Sequence, residues 1–158
     1  MKTSTDEFHP ELNASGKRFA LLVSRFNAEI TERLLEGARG CLLRHGADEA
    51  KIEVVRVPGA WELPQVAARL VGFGRFDAVV ALGCVIRGET SHYDFVAGEA
   101  SSGLGAVARQ SPVPVLFGVL TTDTVAQADA RSGEGGGNKG WETALAALEL
   151  VALYGRLR

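Results

Sequence analysis

The stretch Ala78–Ile86, AVVALGCVI, is apolar almost without interruption. It is far shorter than the roughly 20 apolar residues that a membrane helix needs. Such a run is typical of a parallel β-strand that is covered by helices on both faces. Three further apolar or β-branched runs predict strands, at Arg18–Ser24, Ile52–Val57 and Val113–Thr121. The sequence therefore predicts a sheet of four parallel strands, with Ala78–Ile86 as its most buried member.

Apolar residues recur at helical spacing between and after these strands. The predicted helices lie within Ile30–Leu42, Trp61–Val71, Phe95–Val107, a short Val125–Arg131 and Trp141–Ala152. Alternation of strands and helices predicts an α/β protein, a three-layer α/β/α sandwich of the flavodoxin-like type. We interpret residues 17–158 as a single domain and residues 1–16, which have no periodicity, as an arm. This arm could add an extra N-terminal strand to a neighbour's sheet or stay without regular structure.

Composition narrows the class of protein. Lys+Arg is 17 and Asp+Glu is 19, a formal charge of −2, which argues against a nucleic-acid partner. Hydrophobic residues are 46% and charged residues 23%, as in a globular protein, and no run predicts a membrane span or a signal peptide. Cys41 and Cys84 fit buried thiols in a reducing compartment, so we expect a cytoplasmic protein. No His or Cys spacing predicts a metal site.

In the predicted fold, ligands bind beyond the carboxyl ends of the strands. Polar, aromatic and glycine residues gather there, at Ser24–Asn27, Pro58–Glu62, Arg87–His92 and Thr121–Asp123. Arg87–His92 opens a helix, where free backbone N–H groups can bind an anion. An ordinary N-cap by Thr90 or Ser91 would explain the same residues with nothing bound.

Individual side chains at this edge allow two interpretations each. His92 can exchange protons near neutral pH, or it is merely exposed. Phe26 is either a platform for a planar ring or a packing residue. Glu62 could accept hydrogen bonds from ligand hydroxyls or complement a helix dipole. Trp61 is interpreted as a packing residue rather than one that takes part in chemistry.

Arg131–Gly140, RSGEGGGNKG, contains a GxGxxG match at Gly135, Gly137 and Gly140. We reject a dinucleotide site because no strand immediately precedes this segment, and the Walker pattern fails as well. The segment is either a flexible connector or a loop that presents Arg131 and Lys139 to an anion.

Four segments together closely resemble the 6,7-dimethyl-8-ribityllumazine synthase family. They are Arg25-Phe26-Asn27, Pro58–Pro64 (PGAWELP), Gly83–Tyr93 (GCVIRGETSHY) and Arg131–Gly140. The resemblance covers about residues 18–157, and the long third segment is the most specific. It implies the condensation of 5-amino-6-(D-ribitylamino)uracil with 3,4-dihydroxy-2-butanone 4-phosphate in riboflavin biosynthesis, without a metal or cofactor.

The resemblance also implies roles for individual residues. Those that bind the pyrimidine and its ribityl chain are Phe26, Asn27, Ala60, Trp61, Glu62, Val85, Ile86, Phe117 and Lys139. Those that hold the phosphate are Gly88, Glu89, Thr90 and Arg131, while His92 shuttles protons. In the family, the residues at positions 117, 131 and 139 come from the neighbouring subunit.

The same resemblance implies a homo-oligomer, a pentamer that in many members stacks twelvefold into a shell of 60 subunits, with riboflavin synthase as a further partner. This chain has Gly135 where many members carry lysine, which leaves the choice of assembly open. A non-catalytic lumazine or flavin carrier on the same scaffold is the alternative, although it has no need of His92 with Arg131. A flavodoxin-like electron carrier is disfavoured because Ser24–Asn27 is poor in phosphate-binding residues.

Overall fold

A computed structural model describes residues 5–134 and 137–158. These residues form four strands: β1 (Phe19–Ser24), β2 (Ile52–Val57), β3 (Ala78–Ile86) and β4 (Val115–Thr122). They also form five α-helices: α1 (Ala28–Arg44), α2 (Leu63–Gly72), α3 (His92–Gln110), α4 (Val125–Ala130) and α5 (Lys139–Arg156). The strands are all parallel, in the order β2-β1-β3-β4. The predicted flavodoxin-like sandwich is confirmed.

Side chains of β3 alternate between two cores, because successive residues of a strand point to opposite faces. Val80, Leu82 and Cys84 join the core beneath α1 and α5. Val79 and Val85 join the core beneath α2 and α3. The sheet is thus covered on both faces, which explains why AVVALGCVI lacks polar residues.

Helices α1 and α5 pack closely on one face of the sheet, and two glycines permit this. A Cβ atom at Gly140 would overlap with the carbonyl oxygen of Leu34, and one at Gly37 would overlap with the Asn138 side chain. Backbone therefore passes directly against backbone at the start of α5. This contact fixes the start of α5 against α1.

Strands β2 and β3 have the predicted boundaries, and the other elements differ from the predicted ones by a few residues at one or both ends. Strand β4 begins at Val115 rather than Val113, because Ser111 and Val113 form a local turn in which the Ser111 hydroxyl bonds both the Val113 N–H and its carbonyl. Helix α3 begins at His92, three residues before the first residue of its apolar stripe.

The described part of the arm, residues 5–16, contains no strand. Its Ala14 is buried and donates its backbone N–H to the carbonyl of His45 at 2.9 Å. Residues 1–4 lie outside the described residues, so the predicted extra strand stays a prediction. Within the described ranges, no helix has the length and apolar character needed to cross a membrane.

Candidate functional site

A cavity of about 490 Å³ opens at the carboxyl ends of β1 and β3. Chain order reverses between these two neighbouring strands, since β2 lies beyond β1 and β4 lies beyond β3. Open α/β sheets bind ligands at this kind of switch point. Eight of the residues predicted from the sequence line the cavity: Phe26, Asn27, Ala60, Trp61, Glu62, Val85, Ile86 and His92.

The loop after β1 is held by backbone hydrogen bonds and by one side chain. The backbone N–H of Phe26 donates to the carbonyl of Pro58 at 3.0 Å, which prolongs the β1–β2 ladder. Asn27 adopts a left-handed conformation with φ 61°, and its side-chain amide donates to the carbonyl of Cys84 at 2.9 Å. The Phe26 side chain is left 73% exposed at the cavity. A rigid, exposed ring of this kind can stack on a planar ligand.

The loop after β2 supplies the second wall, through a short 3-10 helix at Ala60–Glu62. A Cβ atom at Gly59 would lie 3.2 Å from Oε1 of Glu62, so glycine leaves room for this carboxylate beside the cavity. Trp61 is 49% exposed and lines the cavity. The indole is therefore not buried in the core of its own chain.

The third wall is the first turn of α3. His92 is exposed and lines the cavity, and its backbone N–H donates to the Thr90 hydroxyl at 3.3 Å. Ser91 is the N-cap residue but makes no capping hydrogen bond with its side chain. Gly88, Glu89 and Thr90 are exposed just before the helix and are not part of the cavity lining.

Five lining residues have no role assigned from the sequence: Pro58 and Gly59, which lie in the segment selected after β2, and Cys84, Phe95 and Val96. Phe95 is the largest of them, and its place in the apolar stripe of α3 predicted only a helix. It is 68% exposed in the structure. The signal was present, since Phe95 follows His92 by three residues and hence shares its helix face.

Arg87 links the loop after β3 to the loop after β4 and to the first turn of α3. Its guanidinium donates to Asp123 at 2.9 Å, lies 3.5 Å from Asp94 and stacks 4.3 Å from the centre of the Tyr93 ring. The hydrogen bond to Asp123 and the two carboxylates raise the pKa of Arg87, so it stays cationic. Arg87 thus joins the loop after β4 to the helix turn that carries His92.

Three predicted residues, Phe117, Arg131 and Lys139, do not line the cavity. Phe117 is on the edge strand β4 and is 40% exposed. Arg131 and Lys139 lie together, since the N–H of Lys139 donates to the carbonyl of Arg131 at 2.8 Å. They flank the glycine-rich segment on the α1/α5 side, where Ala128 of α4 joins the core. Gly135 lies outside the described residues.

Residues 5–134 and 137–158 bring no three His, Cys, Asp or Glu side chains together as a metal site would require. The two cysteines are free and buried. The cavity is thus a mainly apolar pocket with a carboxylate and an imidazole at its rim.

Comparison with known families gives one match. Residues 16–155 match the model of the 6,7-dimethyl-8-ribityllumazine synthase family, which spans most of the chain. The match supports a lumazine synthase activity of riboflavin biosynthesis in general, and an enzyme of the transferase type. Members of this family form homo-oligomers.

Proposed function

The chain belongs to the 6,7-dimethyl-8-ribityllumazine synthase family, and from this premise we propose that it condenses 5-amino-6-(D-ribitylamino)uracil with 3,4-dihydroxy-2-butanone 4-phosphate. The products are 6,7-dimethyl-8-ribityllumazine, phosphate and water. One observation carries the proposal: Phe26, Glu62 and His92 come from three separate loops and line one cavity. A stacking ring, a hydroxyl acceptor and a proton-transfer group are what this pair of substrates requires.

The pyrimidine half of the site follows from the cavity walls. Phe26 would stack on the pyrimidine ring, and the backbone of Val85 and Ile86 at the end of β3 would contact its polar edge. Glu62 and the backbone of Asn27 and Ala60 would hold the ribityl chain. A carboxylate accepts hydrogen bonds only, which suits a chain of hydroxyl donors.

The phosphate half of the site would lie at the start of α3. Free N–H groups and the positive end of the helix dipole favour an anion there. Gly88, Glu89 and Thr90 are exposed at this helix start and would surround the phosphate. Arg131 would add a planar fork of donors to the same group.

His92 would move protons between the substrates. The pyrimidine's amine attacks the ketone carbonyl, and imine formation and phosphate loss both require proton transfer. A single general acid or base typically contributes about 10²–10⁴-fold to such steps. The remaining acceleration would come from holding two reactants side by side, which can lower the barrier by several kcal/mol.

The proposed site is completed by a neighbouring subunit. Phe117, Arg131 and Lys139 do not line the cavity of their own chain, and in a cyclic oligomer they could reach the cavity of the next subunit. We therefore propose a homo-oligomer, a pentamer or twelve pentamers in a shell of 60 subunits. Riboflavin synthase, which would use the product, is proposed as a further partner. The free buried thiols fit a cytoplasmic location.

Turnover of the two substrates tests the proposed reaction directly. Purified protein mixed with both should release phosphate and form the yellow-green fluorescent lumazine, and light scattering of the same sample gives the mass of the assembly. Tight binding of lumazine without turnover would instead support the non-catalytic carrier. If the protein neither turns over the substrates nor binds lumazine, both functions are contradicted.

A further inference from the structure

The segment between α4 and α5 is attached to α1 by a buried hydrogen-bond network. Asn138 is only 3% exposed. Its side-chain amide donates to the carbonyls of Arg33, Ser132 and Gly133 at 3.0, 3.2 and 3.0 Å. Its side-chain oxygen accepts the N–H of Trp141 at 3.1 Å and so caps α5. One side chain thereby joins α1, the segment's first residues and the start of α5.

Arg33 holds the other end of the same segment. Its guanidinium donates to Asp129 of α4 at 2.5 Å and to the Ser132 hydroxyl at 3.2 Å. The Ser132 hydroxyl in turn donates to the carbonyl of Ala128 at 2.9 Å. Ser132 is almost fully buried. The end of α4 is thus fixed to α1 independently of Asn138.

Ser132 and Asn138, which make these hydrogen bonds, are next in sequence to Arg131 and Lys139. These two cationic residues do not line the cavity of their own chain. Arg131 precedes Ser132, Lys139 follows Asn138, and the Lys139 N–H donates to the Arg131 carbonyl at 2.8 Å. A flexible glycine-rich connector alone would leave Arg131 and Lys139 free to move relative to each other. The network instead brings both backbones to one point on the surface of α1.

We infer that Asn138 and Arg33 are positioning residues, which orient Arg131 toward the phosphate-carrying substrate bound in a neighbouring subunit. The inference rests on the proposed function. Neither residue would touch substrate. Orientation matters here because a bidentate guanidinium–phosphate contact depends on angle as well as distance, and small misplacements are costly in rate.

Asn138→Asp is the most direct variant, because it keeps the size of the side chain and an oxygen for the Trp141 N–H but removes the donor to three carbonyls. We expect the KM for the phosphate substrate to rise about tenfold, and the KM for the pyrimidine, which Lys139 would contact, to rise less. Arg33→Ala is the second variant in case Asn138→Asp impairs folding, since Arg33 is half-exposed; we expect a smaller rise, about threefold.

Thr143→Val is the matched control. The buried Thr143 hydroxyl donates to the Lys139 carbonyl at 2.6 Å, in the same first turn of α5, but its hydrogen bond reaches neither α1 nor residues 131–134. Valine has nearly the same shape as threonine but cannot make this hydrogen bond. The variant therefore measures the effect of weakening the start of α5 alone. We expect both KM values to stay within about twofold of the unmodified enzyme.

The decisive measurement adds Arg131→Ala to each variant. If Asn138 acts through Arg131, Asn138→Asp raises the KM for the phosphate substrate far less in the Arg131→Ala background than alone. Full additivity, or an equal effect of Thr143→Val, overturns the inference while leaving the proposed function intact. Absence of turnover in the unmodified protein overturns the proposed function and the inference with it. Hydrogen exchange at the Lys139 amide, faster in Asn138→Asp than in Thr143→Val, tests the network without any substrate.

Discussion

The two faces of the sheet contribute differently to the carboxyl-end edge. On the α2/α3 side, one chain supplies a whole cavity with an aromatic ring, a carboxylate and an imidazole. On the α1/α5 side, the same chain supplies Arg131 and Lys139 on a glycine-rich segment that is anchored to α1, with neither cation in the cavity lining. In the proposed site, the pyrimidine half would lie within one chain, and the cationic half would be supplied by a neighbouring chain.

This difference explains why rigidity is distributed as it is. The cavity side is fixed by backbone ladders that continue beyond β1 and by the Asn27 side chain. The cationic side is fixed by Asn138 and Arg33. The contacts that hold each side lie within one chain. In the proposed oligomer, the cavity side of one chain would therefore meet the cationic side of its neighbour without further rearrangement.

The largest effect is expected from the imidazole. His92→Ala should lower kcat about a hundredfold without abolishing turnover, because general acid–base catalysis is lost while substrate positioning stays. Steady-state kinetics with both substrates measures this, and His9→Ala, an exposed histidine of the arm, is the control. A drop of less than about threefold would show that His92 is not the proton shuttle.

The next effect concerns the cationic side. Arg131→Ala should raise the KM for the phosphate substrate about thirtyfold, since a charge-assisted contact is worth roughly 1.5–3 kcal/mol, and should hardly change the KM for the pyrimidine. Arg75, which pairs with Glu53 at the opposite end of the sheet, provides the control Arg75→Ala. An unchanged KM for the phosphate substrate would contradict the assignment.

A smaller effect is expected on the cavity side. Phe26→Ala should raise the KM for the pyrimidine about tenfold by removing the stacking surface, and Phe26→Tyr should restore most of the affinity. Because the Phe26 ring is 73% exposed, the melting temperature should change little. Phe73, another exposed phenylalanine at the far end of α2, is the control. Equal losses from Phe26→Ala and Phe73→Ala would exclude stacking.

The smallest effect separates the two faces by pH. Burial raises the pKa of Cys41 and of Cys84 from 9.0 to about 11, with nearby Asp129 adding to the rise at Cys84. Unfolded thiols lose their protons from about pH 9, before the native thiols do, so the free energy of unfolding should be unaffected below pH 9 and fall between pH 9 and 11.

Both thiols lie in the core beneath α1 and α5, so this alkaline loss belongs to that face. Urea denaturation measures the free energy of unfolding at about pH 8 and about pH 10.5. Between these two pH values, the free energy of unfolding should fall less in Cys41→Ala than in the unmodified protein. An equal difference in both proteins would show that the Cys41 thiol does not contribute.

Much of this arrangement could be predicted from the sequence. Unbroken apolar strands and helical periodicity decided the fold, because a strand covered on both faces cannot carry polar residues, as AVVALGCVI shows. The loops of the cavity were found because the switch-point rule selects the carboxyl ends of strands. The exposure of Phe95 and Trp61 at the cavity could not be predicted, since apolar spacing alone does not distinguish a core side chain from one that lines an open pocket.

The network around Asn138 could not be found in this way. It joins residues about a hundred positions apart, and only the close approach of α1 and α5 at Gly37 and Gly140 brings Arg33 near the glycine-rich segment. From the sequence, that segment was indistinguishable from a flexible connector. Local patterns predict which residues are apolar or turn-forming, but not which distant carbonyls a buried amide will meet.

Subunit complementation tests the divided site most directly. His92→Ala and Arg131→Ala chains would be co-expressed, isolated as mixed oligomers and assayed with the phosphate substrate well below the KM of the Arg131→Ala variant, where each parent variant has low activity alone. If each site joins His92 of one chain to Arg131 of its neighbour, random 1:1 assembly forms intact sites at about a quarter of the interfaces. The mixed oligomers should then have about a quarter of the activity of the unmodified protein. Mixed oligomers no more active than the average of the two parent variants would contradict the shared site.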